Sequence, residues 1–254
     1  MEWSDEAIVL GARRHGESGL ILETMTRGHG RHLGLVRGGA GPRLRPTLQP
    51  GNTLQVGWRA RLEDHLGTFT VETQVSRAAT VLESALGLHC VSLLACHLRL
   101  LAEREAHESL YHACAIILDG FDNPLASAMQ MVRFEMALLE ELGFGMDLSQ
   151  CASTGSTLNL THVSPKSARA VSGEAALPYL DRLLPLPGFL RKDRPDRAID
   201  EHDITAGFRL TGYFLTRHVY EVRAIPEPDC RRAFFHTAMR RVAMPALAAD
   251  VLQG

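Results

Sequence analysis

The chain has 254 residues, of which 45% are hydrophobic and 22% charged, and its formal net charge is −2. This composition is typical of a globular protein with one large domain or two small ones. The chain contains no run of 18 apolar residues that could span a membrane. Its first residues include the acids Glu2, Asp5 and Glu6, whereas a signal peptide begins with positively charged residues. We therefore expect a cytoplasmic protein.

The first 77 residues are predicted to form a small β-domain. Gly- and Pro-rich turns separate five short apolar or alternating runs that predict strands, at residues 7–10, 20–26, 31–36, 53–58 and 68–73. This pattern is typical of a small barrel or sandwich. Between the third and fourth strands, residues 37–46 are predicted to be a mobile basic loop.

From about residue 78 the apolar residues recur with helical spacing. Helical stretches are predicted at residues 81–105, 110–118, 124–142, 204–222 and 229–239. Residues 145–175 lose this periodicity and are rich in Ser, Thr and Gly, so they are predicted to be an irregular insertion. The fold class is therefore α+β with two domains, a β-barrel over residues 1–77 and a mostly α-helical domain over residues 78–254.

The helix at residues 124–142 carries the clearest end signals. Asn123 suits the N-cap, Pro124 suits the first helical position, and Gly143 suits the position after the end. Its buried stripe is predicted to consist of Phe134, Leu138, Leu139 and Leu142.

No arrangement of reactive side chains survives a test of its geometry. The pairs His89–Cys90 and Cys96–His97 are seven residues apart, which on a helix separates them by roughly 10 Å, too far to share one zinc ion. His107 and His112 are five residues apart and therefore point in different directions on a helix. The five cysteines include no CxxC pair, which fits buried thiols in a reducing compartment. We therefore expect a binding protein and not an enzyme.

The positive charge of the chain is concentrated near its start. Residues 11–61 hold nine arginines against the two acids Glu17 and Glu23, a local charge of +7 in a nearly neutral chain. Arginine makes bidentate contacts with phosphates, and a cationic face on a small β-domain indicates a polyanion partner. The candidate nucleic-acid-binding residues are Arg13, Arg14, Arg27, Arg31, Arg37, Arg43, Arg45 and Arg59.

Two other interpretations of this arginine cluster stay open. A genome biased toward arginine would produce it, and so would a solvated surface with a few local ion pairs. The scarcity of acids between residues 11 and 61 favours binding.

Aromatic residues are few in the first 75 residues, namely Trp3, Trp58 and Phe69. Because base stacking needs such rings, we expect binding that depends on charge, lacks sequence specificity and weakens with salt.

A second candidate surface lies on the predicted helix at residues 204–222. Arg209, Tyr213 and Arg217 follow one another at four-residue spacing on one side of this helix, and Tyr220 extends the stripe. An arginine–tyrosine stripe suits a partner-binding surface. A solvated helix face with extended side chains would show the same pattern.

An ordered set of short motifs extends along nearly the whole chain and weakens after about residue 175. The motifs are Ala7-Ile8-Val9-Leu10, Arg13, His15-Gly16-Glu17-Ser18, Thr26 with Gly28 and Gly30, Val36-Arg37-Gly38-Gly39, Thr47-Leu48-Gln49-Pro50, and the stretch from Arg133-Phe134-Glu135-Met136 to Gly143-Phe144-Gly145, ending near Cys151. In this order and spacing they resemble the RecO family of bacterial DNA-repair and recombination-mediator proteins.

The resemblance implies an N-terminal OB-fold that binds single- and double-stranded DNA, followed by a helical domain. Such proteins anneal complementary strands and, with RecR and often RecF, help RecA replace the single-strand-binding protein on gapped DNA. They also dock the acidic, apolar C-terminal tail of that binding protein on the helical domain, and the resemblance places Arg133 near the tail pocket. The alternative for Arg133 is an ion pair on the helix surface with an acid such as Glu140.

Some members of this family carry a four-cysteine zinc module, and this chain departs from that pattern. It reads Cys151-Ala152-Ser153-Thr154-Gly155 at the expected place, and Ser164-Pro165-Lys166-Ser167 stands where the later cysteine pair would be. A structural zinc ion needs four ligands, which one thiolate cannot supply. We therefore expect no metal and no cofactor.

Two functions of different classes stay open at this point. The first is a recombination mediator that binds and anneals DNA and is associated with the nucleoid. The second is an adaptor whose OB-fold binds protein or RNA without annealing activity. The salt dependence of DNA binding separates them, because neutralising phosphates releases counterions and docking a protein does not.

Overall fold

The computed structural model describes residues 1–192 and 198–251, with side chains up to residue 242. The chain forms two compact units that divide between Asp122 and Asn123. The predicted boundary after residue 77 separates the strands from the first helices and stays a prediction of domain organisation. Each unit is described by itself.

The first unit opens with a closed five-stranded barrel. Its strands are β1 (Glu2–His15), β2 (Gly19–Thr26), β3 (Gly30–Val36), β4 (Thr53–Arg59) and β5 (Thr68–Val75). They follow the order β1-β2-β3-β5-β4, and every pairing is antiparallel except that of β3 with β5. A five-stranded barrel of this kind is an OB-fold, so the expected fold of the N-terminal domain is confirmed.

The alternation of apolar and polar residues explains why this segment closes into a barrel. Positions in β3 alternate between buried and half-buried along its whole length, because successive side chains of a strand point to opposite faces. The residues that fill the interior are Ala7, Val9, Leu22, Val36, Leu48, Leu54, Val56, Trp58 and Phe69.

Three helices complete the first unit: α1 (Ala78–Glu83), α2 (Ala85–Leu98) and α3 (Glu108–Gly120). The prediction of one continuous helix over residues 81–105 is wrong. Ser84 has extended backbone angles, and its hydroxyl accepts a hydrogen bond from the Gly87 N–H at 3.2 Å, so it ends α1 and caps α2. An N-capping serine satisfies a backbone donor that the helix itself leaves free.

Residues 99–107, which we call the strap, run beside the barrel instead of continuing α2. Glu103 forms a parallel bridge with Arg31 of β3, and the Arg104 N–H donates to the Arg31 carbonyl at 2.9 Å. Gly30 allows this approach, because its φ is +65° and a Cβ atom there would lie 1.8 Å from the Glu105 carbonyl oxygen. The strap therefore brings acidic residues from outside the barrel sequence onto β3.

Arg77 joins the barrel to the helices of the same unit. Its guanidinium donates to Thr53 Oγ1 at 2.6 Å and to the Gly51 carbonyl at 3.2 Å, and it pairs with Asp119 at 2.6 Å. Its backbone N–H donates to Asn52 Oδ1 at 2.8 Å. A buried arginine with this many acceptors stabilises the fold, because the carboxylate and the other acceptors around it compensate its charge.

The second unit is mostly helical. Its helices are α4 (Pro124–Glu141), α5 (Gly173–Ala176), α6 (Glu201–Leu215) and α7 (Asp229–Val251), with a π-helical turn at Thr216–Tyr220 and 3₁₀ turns at Leu177–Arg182 and Gly188–Leu190. None of the described helices is long and apolar enough to cross a membrane. The predicted α-helix over residues 204–222 starts earlier, because Asp200 and Asp203 form a capping box, and its last part is the π-helical turn.

The ends of α4 are those that the sequence predicts. Asn123 Oδ1 accepts a hydrogen bond from the Ala126 N–H at 3.0 Å, and Gly143 after the helix has a φ of +85°. Of the predicted buried stripe, three residues are buried and Leu142 is half-buried. Local capping chemistry is therefore sufficient to locate this helix.

The segment at residues 145–175 is not irregular throughout, contrary to the prediction. Strands β6 (Leu160–Val163), β7 (Ala170–Ser172) and β8 (Leu184–Pro185) form a small antiparallel sheet in the order β7-β6-β8. Strands of two to four residues are too short to show alternation in a sequence. Cys151 is buried, and its Sγ accepts a hydrogen bond from the Ser172 N–H at 3.3 Å.

The donor set around Cys151 does not fit the zinc module that some RecO-family members carry. Its thiol is the one cysteine of this segment, and Ser164 and Ser167 occupy the later positions. Among the described residues, no group of three or more His, Cys, Asp or Glu side chains could hold a metal ion. A four-ligand zinc site is therefore incompatible with these residues.

The helices of the second unit surround a buried ion pair. Arg231 of α7 pairs through Nε with Glu135 of α4 at 2.8 Å, and these side chains are 9% and 0% exposed. Arg231 also donates to the Phe208 carbonyl at 2.8 Å and pairs with Glu227 at 2.8 Å, while the Thr211 hydroxyl donates to Glu135. Burial lowers the pKa of Arg231, but the two carboxylates outweigh it and raise that pKa above its ordinary value.

Candidate nucleic-acid interface

Seven of the eight predicted DNA-binding arginines are exposed on the barrel unit, and six of these seven form a group of their own. Within the described ranges, none of the six forms an ion pair with an acid. They lie at the end of β1, in the β3–β4 connection and at the end of β4: Arg13, Arg14, Arg37, Arg43, Arg45 and Arg59. Their guanidinium groups are therefore available to an anionic ligand.

The other two predicted arginines are engaged by acids. The Arg27 Nε lies 2.7 Å from Glu108 Oε1, and this hydrogen bond raises the pKa of Arg27. Arg31 is 12% exposed and lies between Glu23 at 3.2 Å and Glu103 at 3.3 Å. These two ion pairs hold Arg31 against the barrel, and its predicted contact with DNA stays a prediction.

An open cleft of about 730 Å³ lies on the barrel beside two of the exposed arginines without acidic partners. Arg37 and Arg59 line it, together with the apolar side chains of Leu44 and Val71 and the acid Glu2. A concave surface with cations at its rim focuses the electrostatic field on an anionic strand. Two of the six exposed arginines without acidic partners, Arg37 and Arg59, therefore lie on one concave surface.

The β3–β4 connection that carries three of the arginines is anchored to the barrel, and its predicted mobility stays a prediction. Leu48 is buried and Leu44 packs against the barrel core. Asn52 Nδ2 donates to the Pro46 and Thr47 carbonyls at 2.9 and 3.0 Å. These contacts fix the backbone on both sides of Arg45, while its side chain stays exposed.

The aromatic rings of the barrel are largely engaged in packing. Trp58 is 1% exposed, and its Nε1 donates to the Leu66 carbonyl at 3.0 Å. Trp3 stacks on His29 and on Trp58, with ring centroids 4.1 and 5.6 Å apart, and Phe69 is buried. Trp58 is therefore a core residue and offers no face to a base. This agrees with binding that depends on charge more than on stacking.

His32 is the titratable member of this buried aromatic group. It is buried in the barrel, its ring centroid lies 4.9 Å from that of Trp58, and its Nδ1 lies 3.0 Å from the Leu33 carbonyl. Burial lowers the pKa of His32 to about 4. The imidazole is therefore neutral at pH 7, and the interior of the barrel carries no charge from it.

Sequence reasoning missed Arg104, which holds the β4–β5 loop at residues 60–67. Its guanidinium donates to the backbone carbonyls of Glu63, Asp64 and His65, the last two at 3.2 and 3.0 Å. Arg104 itself has a φ of +66°, which few non-glycine residues adopt. No local signal marks this residue, because its partners are about 40 positions away in the sequence.

The predicted partner-binding stripe is assembled in the second unit. Arg209, Tyr213 and Arg217 line one cleft of about 670 Å³, and Arg217 Nη1 lies 3.4 Å from the Tyr213 hydroxyl. Tyr220 is buried and is not part of the surface, so its inclusion in the stripe is wrong. The turn from α6 into the π-helical segment places this residue in the core.

Arg133 lies elsewhere on the same unit. Its Nη2 donates to the Phe189 carbonyl at 3.3 Å, and its guanidinium lies 5.8 Å from the centre of the Phe189 ring. The side chain is half-buried and packs over an aromatic ring. It does not line the cleft of the stripe, so the predicted partner-binding residues occupy two places.

Comparison with known proteins gives one consistent match. The family models described as Recombination protein O N terminal and Recombination protein O C terminal match residues 1–76 and 84–223. The DNA repair protein RecO of Mesorhizobium japonicum is 51% identical over 252 residues, covering 98% of this chain and 99% of the relative. The DNA repair protein RecO of Chelativorans sp. is 51% identical over 245 residues, covering 95% of this chain and 97% of the relative. That of Brucella abortus is 50% identical over 242 residues, covering 95% of this chain and 98% of the relative.

Proposed function

The chain belongs to the RecO family of DNA repair proteins, and from this premise we propose that it is a recombination mediator that acts after DNA damage without enzymatic chemistry. It binds single- and double-stranded DNA, anneals complementary strands and helps load RecA onto gaps coated with the single-strand-binding protein. The observation that carries the proposal is the set of six exposed barrel arginines without acidic partners.

The arrangement suits annealing for a physical reason. Arginines that neutralise phosphates release condensed counterions and let two anionic strands approach each other. The buried state of Trp58 and Phe69 leaves the bases without these two stacking partners, so they stay free to pair. Binding of this kind is independent of sequence and falls steeply with salt.

The partner proteins are assigned to the second unit. We place the C-terminal tail of the single-strand-binding protein near Arg133, whose cation beside the Phe189 ring suits a peptide with carboxylates and an aromatic end. We assign Arg209, Tyr213 and Arg217 to a further partner-binding surface. The proposed partners on gapped DNA are RecR, RecF and RecA. The proposed location is the nucleoid in the cytoplasm, and the proposed function requires no cofactor.

Annealing of two complementary fluorescent oligonucleotides tests the proposal. The wild-type protein should anneal them at low salt, lose the activity as salt rises, and be indifferent to EDTA. The triple variant Arg37→Glu, Arg43→Glu, Arg45→Glu should bind single strands about 100-fold more weakly, with a salt slope smaller by about 2. A triple variant of the second unit with the same charge change, Arg169→Glu, Arg232→Glu, Arg240→Glu, is the control.

Three results would contradict parts of this proposal. Unchanged annealing by the barrel variant would remove the arginine loop from the site. A flat salt dependence with DNA, alongside tight binding of a protein partner, would favour an adaptor without annealing activity. Loss of annealing in EDTA would show a required metal that these residues do not explain.

Tail docking needs its own test. Arg133→Glu should abolish binding of a peptide with the tail's sequence and leave the binding of naked DNA unchanged. Arg169→Glu is the control, because Arg169 is a cation of the same unit outside the Phe189 contact. Retention of peptide binding by Arg133→Glu would move the tail pocket elsewhere.

A further inference from the structure

A second cleft of about 690 Å³ opens in the second unit, next to the cleft of the stripe. It is lined by residues of the small-sheet region, of the 3₁₀ turn at Leu177–Arg182, of α6 and of the π-helical turn that follows α6. Its cations are Lys166, Arg182 and Arg217. The neighbouring cleft also contains Asp181, Glu221 and Glu227, whereas no acid is among the described residues that line this one.

The charge of this cleft is therefore of one sign. Arg182 lies 3.6 Å from Asp181, but both side chains are more than three-quarters exposed, so this pair is weak and easily exchanged for another anion. Arg217 is exposed, and its guanidinium lies 3.4 Å from the Tyr213 hydroxyl, which does not neutralise its charge. Three cations around a concave surface attract an anionic ligand more strongly than the same cations on a flat surface.

The other groups in the cleft indicate which anion it takes. Tyr179 is 54% exposed, and Tyr213 is half-buried at the wall. Ser164 and Ser167 flank Lys166 and line the same surface. Hydroxyl and cationic groups bind phosphate oxygens, and an exposed tyrosine ring offers a face on which an unpaired base can stack.

We propose that this cleft is a second binding site, specific for single-stranded DNA, in which Lys166, Arg182 and Arg217 contact phosphates and Tyr179 and Tyr213 stack with bases. The site names single-stranded DNA, not a protein, as the partner that Tyr213 and Arg217 bind, and it rests on the proposed DNA-binding function. A duplex keeps its bases stacked inside, so the faces of its bases cannot stack on the tyrosine rings. An annealing protein with such a site holds an unpaired strand on its second unit.

Photo-crosslinking on the full chain locates the bound strand. An oligonucleotide of deoxythymidine containing 5-iododeoxyuridine should crosslink to Tyr179 or Tyr213, as read by mass spectrometry of the peptides. The crosslink should persist in the barrel variant Arg37→Glu, Arg43→Glu, Arg45→Glu. Crosslinks confined to residues 1–76 in the wild-type protein would overturn the second site while leaving the proposed function intact.

A binding experiment tests the chemistry of the cleft. The double variant Lys166→Gln, Arg217→Gln should bind the single strand about 10-fold more weakly, with a salt slope smaller by about 1.4, because each lost phosphate contact removes about 0.7. Binding of a duplex should stay within a factor of two. The double variant Lys192→Gln, Arg232→Gln removes one lysine and one arginine outside the cleft and should bind as the wild type does.

Each alternative result overturns the assignment in a distinct way. Equal losses for single strands and duplexes in the cleft variant would mean a general charge effect. Loss of binding to a phosphate-free acidic peptide, with unchanged binding of the oligonucleotide, would make the cleft a protein-docking site. Wild-type DNA binding in both the cleft variant and the barrel variant would remove both surfaces from DNA binding, whereas no DNA binding by the wild-type protein would refute the proposed function itself.

Discussion

The arginines of the barrel and those of the second unit's core differ in their surroundings. Arg37, Arg43 and Arg45 are exposed and without acidic partners in the described part of the chain. Arg231 is buried, with Glu135 and Glu227 both 2.8 Å away. The charge of the exposed arginines is available to a ligand, whereas the charge of Arg231 is neutralised by carboxylates and stabilises the packing of the helices.

The difference teaches that an arginine's role depends on which acids the fold brings to it. Arg31 and Arg59 belong to the same cationic stretch of sequence, yet Arg31 is flanked by Glu23 and Glu103, whereas Arg59 lines the open cleft. The decisive acid, Glu103, comes from the strap, 72 residues later in the chain. Counting charges in a window cannot separate these two cases.

The largest effect is expected for the buried arginine. Arg231→Met should lower the free energy of unfolding by about 3–5 kcal/mol, because Glu135 would keep a buried charge without its partner. Urea denaturation measures this loss. The double variant Arg231→Met, Glu135→Leu should recover a large part of it, and Arg37→Met should stay within about 0.5 kcal/mol of the wild type. A loss below about 1 kcal/mol for Arg231→Met would erase the distinction between the two kinds of arginine.

The pH dependence of stability tests whether His32 is buried without charge in the barrel. His32 has a pKa of about 4 when folded against about 6.5 when unfolded, so the unfolded chain binds the extra proton between these values. Stability should therefore be complete above pH 6.5 and fall by roughly 3 kcal/mol as the pH drops to 4. Urea denaturation across this range should show a shallower decline for His32→Gln, and an identical decline would exclude His32 as its cause.

A matched pair of substitutions sharpens the comparison inside the barrel. Arg31→Gln should cost about 1–2 kcal/mol of stability, because two carboxylates lose a hydrogen-bonded cation, and should leave the salt slope of DNA binding unchanged. Arg59→Gln should leave stability unchanged and lower the salt slope for single strands by about 0.7. Thermal unfolding and fluorescence anisotropy separate the two effects. If both variants change the salt slope equally, Arg31 contacts DNA after all.

The smallest effect is expected at Arg104, which acts through the β4–β5 loop. Arg104→Lys keeps the charge but replaces the two terminal nitrogens that reach the three carbonyls by a single ammonium group, so DNA affinity should fall about threefold through loosening of the loop beside Arg59. The fluorescence of Trp58, whose indole donates to Leu66 in this loop, should report the loosening. Wild-type fluorescence combined with weaker binding would instead make Arg104 a direct phosphate contact.

Several parts of the fold were predictable because their causes are local. The strand alternation of β3, the Asn123 cap and the glycine after α4 each act within a few residues of the element they define. The short strands of the small sheet were not predictable, because two to four residues show no period. The break at Ser84 was missed because the apolar spacing on its two sides reads as one continuous helix.

The sequence by itself determined the fold class, the family and the excess of arginine over acid near the start of the chain. These depend on composition, on periods of 2 and 3.6 residues and on ordered motifs, which a linear chain already contains. The tertiary structure decided which arginines are free, because Glu103 and Glu108 reach Arg31 and Arg27 only after the chain folds back on itself. It likewise decided that Trp58 is core and that Arg104 holds a loop 40 residues away, since burial and long-range hydrogen bonds have no local signature in the sequence.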